Sequence, residues 1–536
     1  MLPAELPAEA ERNRLLRRAD WRFLLPTEPA PAGPPRRCIC FAPGLLLPVA
    51  AVWAETGDGW SEAPAGVGAY DLAVVVNPDR ATLQRAWQAL RPGGLCYSEW
   101  TRPLPGGAAG VRRRLSTAGF DAVTCYWPLS HPDRGPVAAW LPLEAPGALR
   151  YFEADRSLPL AGAQRAAYHL KWRLWRLACG LGLALPICAV ARKGAGVPGE
   201  DAGAGSLAAE WEALGLEGPP QPLTRLLLTG GLHTINRVVM LVFAGDEDAP
   251  RLVTKRARVA EAAASLAHEA AVLRALHASG QIDPRSVPQT LFYHGADCAP
   301  LLGQSVVHGA PIWLLLRRDN YARLAAQVTE WQARLAQGAP AAPPAAWWDR
   351  LVRPHLASFA AHYGGVVGAE QLRQAERRIG QLGSLPLVCE HRDFAPGNVW
   401  LDGDEITVID WECAELAGLP ALDLIYFLTF LTLAVEGVDV HGEIDLPRAR
   451  ATYRSAFDLA TPNGEVVTGC LHRYCQAAGI DDASLRPLRL LTWTMQAHLR
   501  AHAAAALAET PAQAAERSLF VQLWQEELAC ATEVRV

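Results

Sequence analysis

The residues that promise chemistry are His391-Arg392-Asp393-Phe394-Ala395-Pro396-Gly397-Asn398, an H-x-D-x-x-x-x-N spacing directly after the apolar run Pro386–Cys389. An Asp and an Asn five residues apart, bracketing a tight loop, can aim both side chains into one cleft. Phosphoryl transfer to a hydroxyl asks for such a set. One carboxylate must accept or orient the proton of the attacking hydroxyl, and carboxylate and amide oxygens must hold Mg²⁺ against nucleotide phosphates. His391 would brace the loop by hydrogen bonding. Asp, Pro, Gly and Asn are also ordinary turn formers, so the loop alone does not decide the matter. Asn is scarce here, with six in the chain, and twelve residues after Asn398 the strand-like run Ile406–Ile409 delivers Asp410 at its end. A carboxylate there would complete a magnesium site.

The basic residues are unevenly divided, with 3 Lys against 47 Arg, so each lysine invites a question. Lys255 ends the strand-like run Leu252–Lys255, and Glu269 follows within the helical run Val259–Leu276. A lysine that bridges nucleotide phosphates needs an acidic partner to hold it, and Glu269 fits, although Glu261 is also available. Between two strand signals, Thr229–Asn236 carries Gly230 and Gly231, whose backbone N–H groups could cover phosphates. The segment lacks a full G-x-G-x-x-G, and a plain hairpin turn fits it as well.

The elements that must position these groups fall into two parts. Residues 1–193 read as α/β: strands at Cys38–Phe41, Leu72–Val76, Leu95–Ser98, Ala122–Trp127 and Ile187–Ala191 alternate with helices at Arg80–Leu90 and Val111–Ala118. The Gly/Ala/Pro-rich stretch 194–206 reads as a linker. Residues 207–536 open with strands at Arg225–Leu228, Arg237–Phe243, Leu252–Lys255, Thr290–Tyr293 and Gln304–His308, then turn chiefly helical. A small β-rich lobe, about 207–310, precedes a large helical lobe, about 311–536, and such an arrangement places a site in its cleft.

This combination resembles the aminoglycoside phosphotransferase and choline kinase superfamily, with its protein-kinase-like fold. The resemblance covers about residues 207–536 and is densest over 391–428. It implies Asp393 as catalytic base, Asn398 and Asp410 as Mg²⁺ ligands, and Lys255 with Glu269 as the phosphate-anchoring pair. It also implies a hinge over Gly303–His308 whose backbone, at Gln304 and Val306, meets adenine, and Asp423 as a structural cap. ATP and Mg²⁺ follow as cofactors, with a small molecule carrying a hydroxyl as substrate. Asp410-Trp411-Glu412 stands where protein kinases carry D-F-G, and no A-P-E segment follows, which argues against a protein substrate. Residues 71–193 resemble the second half of a class I S-adenosylmethionine (SAM) methyltransferase. The Gly-rich cofactor turn such an enzyme needs is missing between Cys38 and Tyr70, where Ala42-Pro43-Gly44 is a poor substitute. A shortened Rossmann-like module without SAM is expected.

Composition bounds the rest. Half the residues are hydrophobic, a fifth are charged and the net charge is −5, which supports real cores and gives no electrostatic case for nucleic acid. Twelve scattered cysteines without a C-x-x-C read as buried thiols. The first twenty residues lack an apolar signal core and no run reaches membrane-spanning length, so a soluble cytoplasmic protein is expected. Two other readings compete: a pseudokinase scaffold, and a SAM-dependent methyltransferase regulated by the kinase-like half.

Overall fold

A computed structural model describes residues 16–25, 37–41, 56–59, 67–130, 137–158, 160, 162–180, 183, 186–194, 223–230, 237–259, 262–295, 300–439, 444–506 and 511–529. The chain forms two compact units: Met1–Ala267 with Thr290–Val306, and His268–Gln289 with Val307–Val536.

The first unit is built on one twelve-stranded sheet in the order β11-β12-β10-β9-β8-β6-β5-β7-β4-β3-β1-β2. The strands are β1 (Arg37–Phe41), β2 (Thr56–Gly59), β3 (Tyr70–Val76), β4 (Leu90–Trp100), β5 (Phe120–Pro128), β6 (Ala139–Pro142), β7 (Ile187–Lys193), β8 (Leu223–Leu228), β9 (Val238–Ala244), β10 (Leu252–Arg256), β11 (Thr290–His294) and β12 (Leu301–Gln304). β2, β1, β3 and β4 run parallel, and β7 enters antiparallel between β4 and β5. Strands buried on both faces read as nearly continuous apolar runs, and Leu72–Val75 and Ile187–Ala191 do so. Their side chains still alternate between faces. Ile39, Ala73 and Val75 pack under α1 (Arg80–Ala89) and α2 (Gly107–Thr117) through Leu83, Ala86, Val111 and Leu115. Cys38, Cys40, Leu72 and Val74 face the segment Leu16–Leu25, whose Trp21 stacks on Tyr97 with centroids 4.2 Å apart.

β6 has all four residues buried and pairs with β5 on one side and β8 on the other, through Ala139↔Leu228 and Trp140↔Leu227. The strands expected for a separate small lobe thereby continue the N-terminal sheet. Leu227 and Met240 share a core with Trp21 and Trp140. On the other face, Leu226 and Phe243 pack with Leu141, Phe152 and Trp172 from β6, α3 (Pro146–Ser157) and α4 (Gly162–Gly180). Linker residues 195–206 lie outside the described residues, and the expected boundary there falls inside one unit. A sheet edge left bare between two domains would expose unpaired backbone and apolar side chains, and β6 covers it.

One strand sits elsewhere than expected. It runs Leu301–Gln304 and stops where the Gln304–His308 expectation began. Leu301 and Leu302 are the buried positions, and Gly303 lets the Phe292 ring approach so closely that a Cβ would meet it at 2.3 Å.

The second unit holds α5 residues from His268 onward (α5, Ala263–Ser279) and a helical body. Its centre is α6 (Leu422–Val435), buried at every position from Leu422 to Leu433, as a helix apolar on all sides must be. The same unit holds three small sheets: β13 (Ala310–Pro311) with β17 (Val399–Asp402) and β18 (Glu405–Val408), β14 (Ala341–Ala342) with β15 (Leu385–Pro386), and β16 (Val388–Glu390) with β19 (Glu415–Gly418). The β17–β18 hairpin pairs Asp402 with Glu405 across a two-residue turn, in which Gly403 takes φ 60°. Among the described residues no helix is long and apolar enough to cross a membrane, and the ten described cysteines are free.

Candidate active site

The loop His391–Asn398 leaves β16 and enters β17, while β18 runs on through Ile409 to Asp410. Two hydrogen bonds tie these chain segments together. The Ile409 N–H donates to the Asn398 carbonyl at 2.9 Å, and His391 Nε2 meets the Ile409 carbonyl at 2.9 Å. His391 Nδ1 accepts the Asp393 N–H at 3.3 Å. Both ring bonds are satisfied only by the neutral Nε2–H tautomer. Burial lowers the His391 pKa, which favours that form, while Asp393, Asp410 and Glu269 act in the opposite direction. Beneath the loop, Phe394 and Trp411 are fully buried. Phe394 packs on Trp331 and Phe427, and His391 lies edge-on to Trp411 at 4.7 Å.

The acidic and amide groups are fixed in turn. Asn398 Nδ2 donates to the Asp393 carbonyl at 2.9 Å and to Asp393 Oδ2 at 3.2 Å. With Nδ2 committed to Asp393, Oδ1 is the Asn398 atom suited to a hard cation. Asp410 has φ 70° and Arg392 φ 67°, left-handed conformations that cost non-glycine residues energy and gather at functional loops. Both Asp393 and Asp410 are half-buried, so their carboxylates keep a route to solvent. An amide oxygen and one carboxylate fit Mg²⁺, which takes few protein ligands and completes its shell with water and phosphate oxygens. Among the described residues no cluster of three or more His, Cys, Asp or Glu could hold a metal by itself.

Asp423 does more than start a helix. Its carboxylate accepts the N–H of His391 at 2.5 Å and of Arg392 at 2.8 Å, so it holds the strained entry to the loop from below. Burial, with Glu390 alongside, raises Asp423 to about 8, and burial also raises Glu390. Arg392 reaches Glu390 at 3.4 Å and balances this acidic pocket. Sequence reasoning gave no role to Glu390, just before the motif, or to Arg392 within it, and their positions were the signal available.

The second unit thus brings together His391, Asp393, Asn398 and Asp410, with Glu269 buried within electrostatic reach of His391. Lys255, Gly230, Gln304 and Val306 belong to the first unit. Lys255 is buried on β10 opposite Val239 and Leu302, and Gln304 is buried opposite Val253. Val306 follows the end of β12 and Gly230 is exposed at the end of β8. Gly231 lies outside the described residues. The other lysines have different roles. Lys193 Nζ donates to the Trp87 and Leu90 carbonyls at 2.7 Å each, at the C-terminal end of α1, and Lys171 is exposed on α4.

Residues 234–461 match the phosphotransferase enzyme family. No curated protein matches the chain. Among solved structures, the chain is similar to aminoglycoside-3'-phosphotransferase of type VIII, at 18% identity and TM-score 0.33, over 53% of this chain and 99% of that one. It is also similar to aminoglycoside phosphotransferase APH(3'')-Id from Streptomyces rimosus ATCC10970, at 15% identity and TM-score 0.32, over 54% and 98% of the two chains. A third similarity is to a GDP complex of a variant aminoglycoside 2'-phosphotransferase-IIIa, at 14% identity and TM-score 0.36, over 61% and 98%. Residues 234–461, which hold the whole His391–Asp410 constellation, therefore carry a phosphotransferase-family domain.

Proposed function

We propose that the protein is an ATP- and Mg²⁺-dependent kinase that phosphorylates a hydroxyl of a small molecule such as an amino sugar, an amino alcohol or a sugar. The observation that carries this reading is the clasp of Asp393 by Asn398, tied through Ile409 to Asp410. It holds one carboxylate beside an amide and a second carboxylate on paired loops, the set this reading needs for a base and two hard-cation donors. Asp393 accepts the proton of the attacking hydroxyl. Asn398 fixes the Asp393 carboxylate, and His391, kept neutral by burial, holds the loop's shape without competing for that proton. Asn398 and Asp410 would hold Mg²⁺, which when bound draws charge from the nucleotide phosphates. Lys255, the buried lysine of β10, is the group proposed to meet the phosphates, with Glu269 as its acidic partner. The N-terminal strands serve as scaffold rather than as a working methyltransferase. In support, their sheet is continuous with β8–β12.

Thermal unfolding with and without MgATP tests nucleotide use. MgATP should raise the melting temperature of the full chain, and Asp410→Ala should abolish the rise. A wild-type protein indifferent to millimolar MgATP would favour the scaffold reading.

A further inference from the structure

One side chain connects the two pieces of the first unit that the kinase reading assigns to the nucleotide phosphates. Arg258 stands three residues after Lys255, and its side chain is fully buried. Its Nε and Nη2 donate to the two carboxylate oxygens of Asp20 at 2.9 and 3.1 Å, a bidentate fork, and Nη2 also reaches the Thr229 carbonyl at 3.4 Å. Thr229 immediately precedes Gly230.

Further bonds at these two points come from the N-terminal part of the chain. The Thr229 N–H donates to the Ala138 carbonyl at 3.0 Å, and its hydroxyl donates to the Val137 carbonyl. Arg17 Nη2 adds a second contact to the Thr229 carbonyl at 3.4 Å. Arg22 Nη2 donates to the Arg258 carbonyl at 2.7 Å. The end of β8 at Thr229 and the exit from the Lys255 strand are thus pinned by residues 17–22 and 137–138, more than ninety positions away along the chain.

We propose that Asp20 is a positioning residue for nucleotide binding: by fixing Arg258 it sets the end of β8 and the end of β10 relative to each other, so the N-terminal segment is part of the phosphate-binding apparatus. This rests on the kinase reading of Lys255. A buried ion pair contributes little net stability and can be exchanged for apolar residues of similar volume without unfolding the protein, whereas geometric fixing by a bidentate fork has no apolar substitute. Stability and positioning can therefore be separated.

The test is calorimetric titration of the full-length chain with MgADP. The double variant Asp20→Leu/Arg258→Met should stay folded, melting somewhat lower because Arg22 also loses the carboxylate 3.6 Å away, yet bind MgADP roughly tenfold more weakly, within the usual range of coupling between sites. Wild-type affinity in that variant would overturn the proposal. Arg258→Lys keeps the charge and loses the fork. It should also weaken binding, and unchanged affinity there would contradict the proposal even where the double variant fails to fold. Absence of MgADP binding by the wild type would remove the kinase reading itself, and this inference with it, an outcome distinct from intact affinity in the variants.

Discussion

The two regions assigned to phosphoryl transfer are held in opposite ways. The His391–Asp410 loop pair is braced mainly by its own neighbourhood, from Glu390 to Asp423, through bonds that span 2 to 32 residues, with one from Gln496 to the Arg392 carbonyl spanning 104. The Thr229 and Lys255 region is braced from far off, by an ion pair spanning 238 residues and hydrogen bonds spanning 92 and 236. A locally closed site can be carried from protein to protein with its chemistry intact. A region closed at long range depends on whatever module supplies the far partners, and here that module is the N-terminal sheet.

The sharpest way to break the comparison is Asp20→Ala, which takes from the buried Arg258 guanidinium, and from Arg22 beside it, the carboxylate that both face. We expect a loss of about 3 kcal/mol in denaturant unfolding of the full chain. A loss below about 1 kcal/mol would mean that the N-terminal segment does not brace this region. Asp423→Ala tests the local side. It strips two buried N–H groups of their acceptor and should cost about 2 kcal/mol, with turnover falling as the Arg392 conformation relaxes. Thr229→Val is smaller, about 1 kcal/mol, because one hydroxyl donor to the Val137 carbonyl is lost at nearly constant volume.

These contrasts also explain what could be read in advance. That His391, Asp393, Asn398 and Asp410 meet was legible because they are written within twenty residues, and the strands around them carry β-branched and aromatic runs. β6 was not legible. Ala139–Pro142 is a four-residue run closed by a proline, too short to show a period, and it exists because β5 and β8 offer it two edges. Without β6 in view, the Gly/Ala/Pro stretch after Lys193 looks like a domain boundary. The Asp20–Arg258 pair was equally hidden, since one Arg among 47 carries no mark of a partner 238 residues away. Lys255 drew attention through its rarity and its place at the end of a strand.

The gentlest test is pH. His355 Nδ1 lies 2.7 Å from His498 Nδ1, so one ring must donate and the other accept. Burial, with Arg392 and His498 nearby, lowers His355 to about 3. A histidine whose folded pKa is depressed binds more protons unfolded than folded, so its stability contribution is complete above pH 6.5 and is lost as pH falls toward 3. His391 has the same sign. Melting of wild type and His355→Gln from pH 7.5 to 5 should show a shallower acid loss in the variant, and parallel curves would contradict the assignment.

The central claim is that Asp393 is the base of a phosphoryl transfer to a small hydroxyl compound. The most direct measurement follows ATP consumption by the full chain across amino sugars, amino alcohols and sugars, beside Asp393→Asn. The account predicts acceptor-dependent turnover that falls on the order of a thousandfold in Asp393→Asn, with MgADP affinity retained. Turnover unchanged in that variant would contradict it.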